Sequence, residues 1–173
     1  MGKPQPGVRR LCIAAVTGPT GLLTQACRSS DMGRLCVTTD ARNGTEMAFA
    51  PPGIDEVAVV TDLITGLRRL TTTEPGVPCP AVLAFHVGIT RIEGDELGGA
   101  AALRTRALLL DPAIRALATV GWRLTVVMSA GLYADLRAEG IPRQGWRPVT
   151  VAGAWIRRYE TSQVPEPMER TWT

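Results

Sequence analysis

Residues able to do chemistry are sparse in this chain of 173 residues. Val16-Thr-Gly-Pro-Thr-Gly-Leu-Leu23 is a glycine-rich turn directly after an apolar run, and Asp40 follows Gly18 by 22 residues. A turn of this kind at a helix N-terminus, with an acid about 20 residues on, can hold a dinucleotide, the backbone N–H groups facing pyrophosphate and the acid the ribose. Thr24 stands where the third glycine of that fingerprint belongs, so an ordinary Gly/Pro turn is the competing reading. His86 is the only histidine and sits inside Leu83-Ala-Phe-His-Val-Gly-Ile-Thr90. No Ser-His-Asp or Cys-His grouping surrounds it in sequence, so a satisfied core histidine is a plainer expectation than a base or ligand.

Several chemistries are excluded by what is missing. Cys12, Cys27, Cys36 and Cys79 are spaced 15, 9 and 43 apart without a C-x-x-C pair, so neither a metal site nor a cofactor is expected. Their apolar surroundings suit reduced thiols and a cytoplasmic location. Arg9-Arg10 ahead of Leu11 to Val16 raises the question of a secretory signal, but Thr17-Gly18-Pro19-Thr20-Gly21 breaks that apolar run too early. Nothing approaches the 18 or more apolar residues of a membrane span, and no membrane association is expected. Of the 19 basic residues only Lys3 is lysine, which leaves no Schiff-base or phosphate-binding lysine in the body of the chain. The net charge is +3 and the arginines are scattered in short pairs, without the basic, aromatic-interleaved stripe that nucleic acid requires.

At roughly 150 residues per domain the length predicts one compact unit. The 45% hydrophobic and 20% charged residues suit a globular core. Residues 1–10 read as a flexible lead, 11–158 as the folded domain and 159–173 as a tail. Leu11 to Val16 and Ala81 to Val87 are continuous apolar runs, the pattern of strands buried on both faces. Arg34 to Thr39 and Glu46 to Ala50 flank Arg42-Asn43-Gly44, and Asn-Gly predicts a tight hairpin because a type I′ turn needs positive φ at both central residues. A short helix is predicted over 20–29. Val57, Val60, Ile64 and Leu67, with Asp55 and Glu56 in the first turn, predict an amphipathic helix over 55–70. Gly98-Gly99 opens another helix that Asp111-Pro112 interrupts. A strand at Arg123 to Met128, a helix over 131–140 and a final strand within 147–156 complete the order. Strand–helix units around a central hairpin predict an α+β fold, a ferredoxin-like split βαβ core with a C-terminal strand/helix extension.

The segment Leu83 to Thr90, followed by Gly94-Asp95-Glu-Leu-Gly98, Ala102 and Arg106, resembles class III nucleotidyl cyclase domains, particularly the short stand-alone relatives common in actinobacteria. That family's buried strand ends in H-x-G and precedes a loop aspartate, a helix-opening glycine, and an asparagine and arginine on one helix face. Asp95, Ala102 and Arg106 stand at the family's i, i+7, i+11 spacing, with alanine in place of asparagine. Leu124-Thr-Val-Val-Met-Ser-Ala-Gly-Leu-Tyr-Ala-Asp-Leu136 and Trp146 to Trp155 are similar to its later strand, serine turn, helix and final strand. The resemblance covers roughly 46–158. It implies that Asp95 reads a purine edge and Arg106 holds a phosphate, with His86 as a further ligand contact. It also implies pairing into a homodimer, or a heterodimer with another cyclase-like chain.

The departures from the family decide the expected mechanism. Cyclisation uses two divalent cations held by converging carboxylates, which the family takes from the end of the first strand and the central hairpin turn. Thr17 and Arg42-Asn43-Gly44-Thr45 occupy those places here, and Asp40 is the nearest acid. The expectation is a catalytically inactive cyclase-like domain, a regulatory or protein-interaction module. The alternatives are a sensor binding a nucleotide or small molecule in the degenerate cleft, and an enzyme of recruited different chemistry.

Overall fold

The computed structural model describes residues 8–16, 21–29, 36–40, 45–51, 53–73, 81–93, 96–118 and 122–160. Asp95, the Asn43-Gly44 turn, most of the Thr17 to Gly21 turn, Cys79, Trp172 and the segment from Thr161 lie outside them. Strand β1 (Val8–Val16) is the first apolar run, begun three residues before Leu11. Helix α1 (Leu22–Ser29), strands β2 (Cys36–Asp40) and β3 (Thr45–Phe49), and helix α2 (Glu56–Thr73) follow. β2 and β3 pair antiparallel from Cys36 opposite Phe49 to Asp40 opposite Thr45, as a hairpin at Asn43-Gly44 requires. The spacing that predicts α2 also predicts its buried stripe, since Val60, Ile64 and Leu67 are all buried. The Asp55 carboxylate accepts a bond from the N–H of Ala58 at 3.0 Å, capping the helix.

Strand β4 (Ala81–Glu93) pairs with β1 along the whole of it, from Val8 opposite Thr90 to Val16 opposite Val82. This ladder explains why β1 starts early and why β4 runs past Gly88, where the sequence pattern ends it. Gly88 is not a terminator but a close-approach site, since a Cβ there would lie 3.1 Å from the Ala101 Cβ and 3.2 Å from the His86 Nε2. β3 is inserted between β2 and β1, antiparallel to both. The order β2-β3-β1-β4, with α1 and α2 as the connections, is the split βαβ core expected from the sequence.

The extension begins with strand β5 (Glu96–Gly98), which folds back on β4 and has too few residues to leave a sequence pattern. Helices α3 (Ala100–Leu110) and α4 (Pro112–Leu117) break at Asp111-Pro112 as predicted, and Asp111 Oδ1 accepts from the N–H of Ala113 at 2.8 Å. They form the crossover that lets strand β6 (Trp122–Ser129) lie parallel to β4. Helix α5 (Ala130–Ala138) follows without a break. The single final strand expected over 147–156 is instead two, β7 (Arg147–Val149) and β8 (Ala154–Glu160), paired antiparallel. A 3-10 turn at Thr150–Ala152 and Gly153 at φ 57 reverse the chain between them, a backbone conformation glycine takes without steric cost. The full strand path is β2-β3-β1-β4-β6-β8-β7.

Both faces of this sheet are covered. Leu11, Ile13, Leu83, Phe85 and Val126 pack under α1, α2 and α5, whereas Ala84, Val127 and Ile156 pack under α3 and α4. That double burial is why the central strands read as unbroken apolar runs. Tyr133 of α5 stacks on Trp155 of β8 with ring centroids 4.2 Å apart, and Trp146 closes the cluster, so two of the tryptophans anchor the extension.

Candidate functional site

β4 and β6 run side by side as far as Phe85 and Met128, and one residue later they part. β6 turns into α5 at Ala130, whereas β4 continues against β1 to Thr90 and then against β5 to Glu93. Crevices open at the carboxyl ends of parallel strands where the chains leave in different directions, and ligand sites gather there. Here the parting leaves a cavity of about 320 Å³ whose lining includes His86, Arg104, Ser129, Gly131, Asp135 and Gly153.

Register brings the first pair together. His86 and Ser129 each follow the last paired residue of their strand, and His86 Nδ1 lies 2.8 Å from Ser129 Oγ. Ser129 is 6% exposed and is the N-cap residue of α5, with the extended backbone such a residue needs. Its side chain nonetheless makes no capping bond, because the hydroxyl is turned to the imidazole. The first-turn N–H groups of a helix have no intrahelical acceptor, and Gly131 and Leu132 of that turn line the cavity.

The cationic wall comes from α3. Arg104 reaches across to donate from Nη2 to the carbonyl oxygen of Ala152 at 2.7 Å, beside Gly153. A Cβ on Gly153 would sit 3.4 Å from that nitrogen. Burial, and next the positive charge of Arg104, push the His86 pKa below its ordinary 6.5. The imidazole is therefore neutral at neutral pH, and Arg104 of α3 and Asp135 of α5 both line the cavity.

Arg106, the arginine singled out by spacing, is on the other side of α3. Ala101, Ala102, Thr105, Leu108 and Leu109 form the buried stripe of this helix. At about 100° per residue, positions 104 and 106 are roughly 200° apart and flank that stripe on opposite sides. Arg104 thus leans toward the β8 end of the sheet, while Arg106 donates from Nε to Met47 Sδ of β3 at 2.9 Å. The cavity at the ends of β4 and β6 is lined by His86 and Arg104, Arg106 instead meets Met47, and Asp95 falls outside the described residues. Ser129 and Arg104 were the residues sequence reasoning missed. A serine between an apolar strand and a helix is a visible N-cap signal, but nothing in sequence says that its hydroxyl turns to His86.

The hairpin side of the sheet holds a different arrangement. Glu46 of β3 is 1% exposed. Its carboxylate accepts from the N–H of Leu23 at 2.7 Å, the N–H of Thr24 at 3.4 Å and the hydroxyl of Thr24 at 2.7 Å. A side chain from 22 residues or more away therefore caps α1, with its charge at the positive end of the helix dipole. Beside it, burial and then the Glu46 charge push the Cys27 thiol up to about 11. Among the described residues no group of three or more His, Cys, Asp and Glu could hold a metal ion, and no helix is long and apolar enough to cross a membrane.

No protein-family model matches the chain, and no curated protein matches it by sequence. Solved structures do match. The monomeric guanylyl cyclase domain of the RhoGC fusion protein from the aquatic fungus Blastocladiella emersonii superposes with a TM-score of 0.54 at 5% identity, over 91% of this chain and 99% of that one. An adenylate/guanylate cyclase/hydrolase from Silicibacter pomeroyi gives 0.51 at 13% identity, over 88% and 98%. The guanylyl cyclase Cya2 gives 0.51 at 12% identity, over 96% and 98%.

Proposed function

From the premise that this chain has the fold of a class III nucleotidyl cyclase domain, we propose that it is a catalytically inactive member of that architecture, acting as a regulatory or interaction module. The observation that carries this reading is Glu46. Cyclisation needs carboxylate oxygens converging on divalent cations, and the buried carboxylate next to the hairpin instead has its oxygens against the N-terminus of α1. The residues at the places the resemblance assigns to the metal ligands are Thr17 and Arg42-Asn43-Gly44-Thr45, with Asp40 the nearest acid. These residues do not fit a pair of cations, and Ala102 offers no amide to the transferring phosphate. Losing both devices removes charge stabilisation that is commonly worth orders of magnitude in rate.

The test is direct. Purified chain incubated with ATP or GTP and Mn²⁺ yields no cyclic nucleotide on this reading. Formation of product that disappears in Arg106→Ala overturns it. Pairing of the chain with itself or with a cyclase-like partner belongs to the same proposal, and a sedimentation profile that stays monomeric at micromolar concentration, alone and with such a partner, removes that part.

A second reading, a sensor that binds a small molecule, is favoured by a separate observation: the cavity behind His86 combines a guanidinium, a buried hydroxyl and an imidazole held neutral. The two readings are compatible, since a module without turnover can still respond to a ligand.

A further inference from the structure

We propose that the cavity between the carboxyl ends of β4 and β6 binds a small metabolite through a single oxyanion group, carboxylate or monophosphate, held by Arg104 and the His86–Ser129 pair. The inference rests on the sensor reading and names its ligand class.

Three observations select this chemistry. Arg104 is anchored by one bond to the Ala152 carbonyl, which orients the guanidinium at the cavity wall while its remaining N–H groups stay available as donors. A planar guanidinium fixed in this way suits the two oxygens of a carboxylate or phosphate. Ser129 and His86 supply further polar groups to the same lining. Their mutual bond at 2.8 Å uses one hydroxyl valence and one ring nitrogen, and a hydroxyl has a donor and two acceptor sites to share. The diversion of Ser129 from its capping role also leaves Gly131 and Leu132, at the start of α5, lining the same space.

Two further observations set the size and charge of the ligand. A volume of about 320 Å³ lies at the lower end of small-molecule pockets, which disfavours a nucleoside triphosphate. Asp135 also lines the cavity, so a carboxylate shares that space with the Arg104 guanidinium. A carboxylate in the lining favours a ligand with a single anionic group over a chain of three phosphates. It also favours a ligand whose far end carries a hydroxyl or amino group.

His86 is the sole histidine, so its imidazole gives one resolved reporter at the site itself. Inorganic phosphate, acetate, glycine and metal-free ATP are titrated separately into the full chain while the His86 Cε1–H NMR signal is followed. Among the described residues the charged groups lining the cavity are Arg104 from α3 and Asp135 from α5, so an anion that offsets Arg104 raises the imidazole's titration midpoint. The proposal predicts saturable shifts with phosphate, acetate or glycine, a smaller response to ATP, and an upward midpoint on saturation. It also predicts roughly tenfold weaker binding in Arg104→Gln, the size expected for loss of a charge-assisted contact. Arg104 is exposed, so Arg104→Gln is expected to fold, which its circular dichroism and melting profile verify. Phosphate against acetate and glycine separates the two sources of oxyanion. Absence of any saturable shift, or saturation unchanged in Arg104→Gln, overturns the proposal. The cyclase assay on the same preparation reads the inactive-domain proposal independently, so either can fail alone.

Discussion

Two helices in this domain begin against the sheet, and the protein treats their N-termini in opposite ways. At α1 the buried Glu46 carboxylate accepts two backbone N–H bonds and a hydroxyl bond, so the positive end of the helix is closed by the chain's own anion. At α5 the residue in the capping place, Ser129, turns away to His86 and leaves the first turn at the edge of a cavity. The difference shows that one fold can silence an anion-binding position at one place and leave a polar one open at another. The end of the sheet nearest the hairpin is where a cyclase would need its carboxylates free, and there the buried Glu46 has another task. The carboxyl ends of β4 and β6 are where the polar side chains remain accessible.

The comparison can be broken or sharpened by substitution. Phe85 is fully buried and is the last β4 residue paired with β6, so both regions depend on it. Phe85→Ala should cost about 3–5 kcal/mol, read as a lowered midpoint in urea. It should also erase the His86 reporter shifts described above. Glu46→Ala should cost about 1–3 kcal/mol, because the α1 N–H groups lose a buried acceptor. Ser129→Ala should cost less, about 0.5–1.5 kcal/mol, because its bond is to a half-buried imidazole. If the two losses come out equal, or in the reverse order, the contrast between a closed and an open N-terminus is wrong.

The titrations give smaller effects with definite signs. Because the folded-state pKa of His86 lies below 6.5, the unfolded chain binds the proton more readily. Stability from this group is therefore full above about pH 6.5 and is lost as pH falls through the folded value. Comparing urea midpoints of the wild type and His86→Asn between pH 7.5 and 5 should show that slope in the wild type alone. Cys27 has the opposite sense. Its pKa rises from 9.0 to about 11, so its contribution declines as pH climbs across that interval. At pH 8 it is protonated and buried, and maleimide labelling of this residue should follow global unfolding, not the rate of a free thiol.

Much of the frame was legible in sequence for identifiable reasons. Runs such as Leu11 to Val16 and Ala81 to Val87 announce strands covered on both faces, Asn43-Gly44 announces a hairpin, and Asp111-Pro112 announces a helix break. β5 and the β7–β8 turn were not legible, since three-residue strands carry no period and Gly153 looks like any other glycine. The cavity was harder still. Which of Arg104 and Arg106 faces it depends on the rotation of α3, and that rotation is set by how Ala101, Thr105 and Leu108 seat on the sheet. The His86–Ser129 contact joins residues 43 apart through the register of a parallel pair, which no local pattern encodes.

The position of β1 carries a consequence for how the chain comes to be folded. It occupies the middle of the split core, and its longest ladder is with β4, pairing residues as far apart as Val8 and Thr90. During synthesis β1 must wait for α1, β2, β3 and α2 to be made before that edge can be satisfied, with loop-closure entropy opposing the wait. Until then Leu11 and Ile13 are apolar surface beside open backbone, the kind of nascent segment that chaperones shield and that aggregates when they do not.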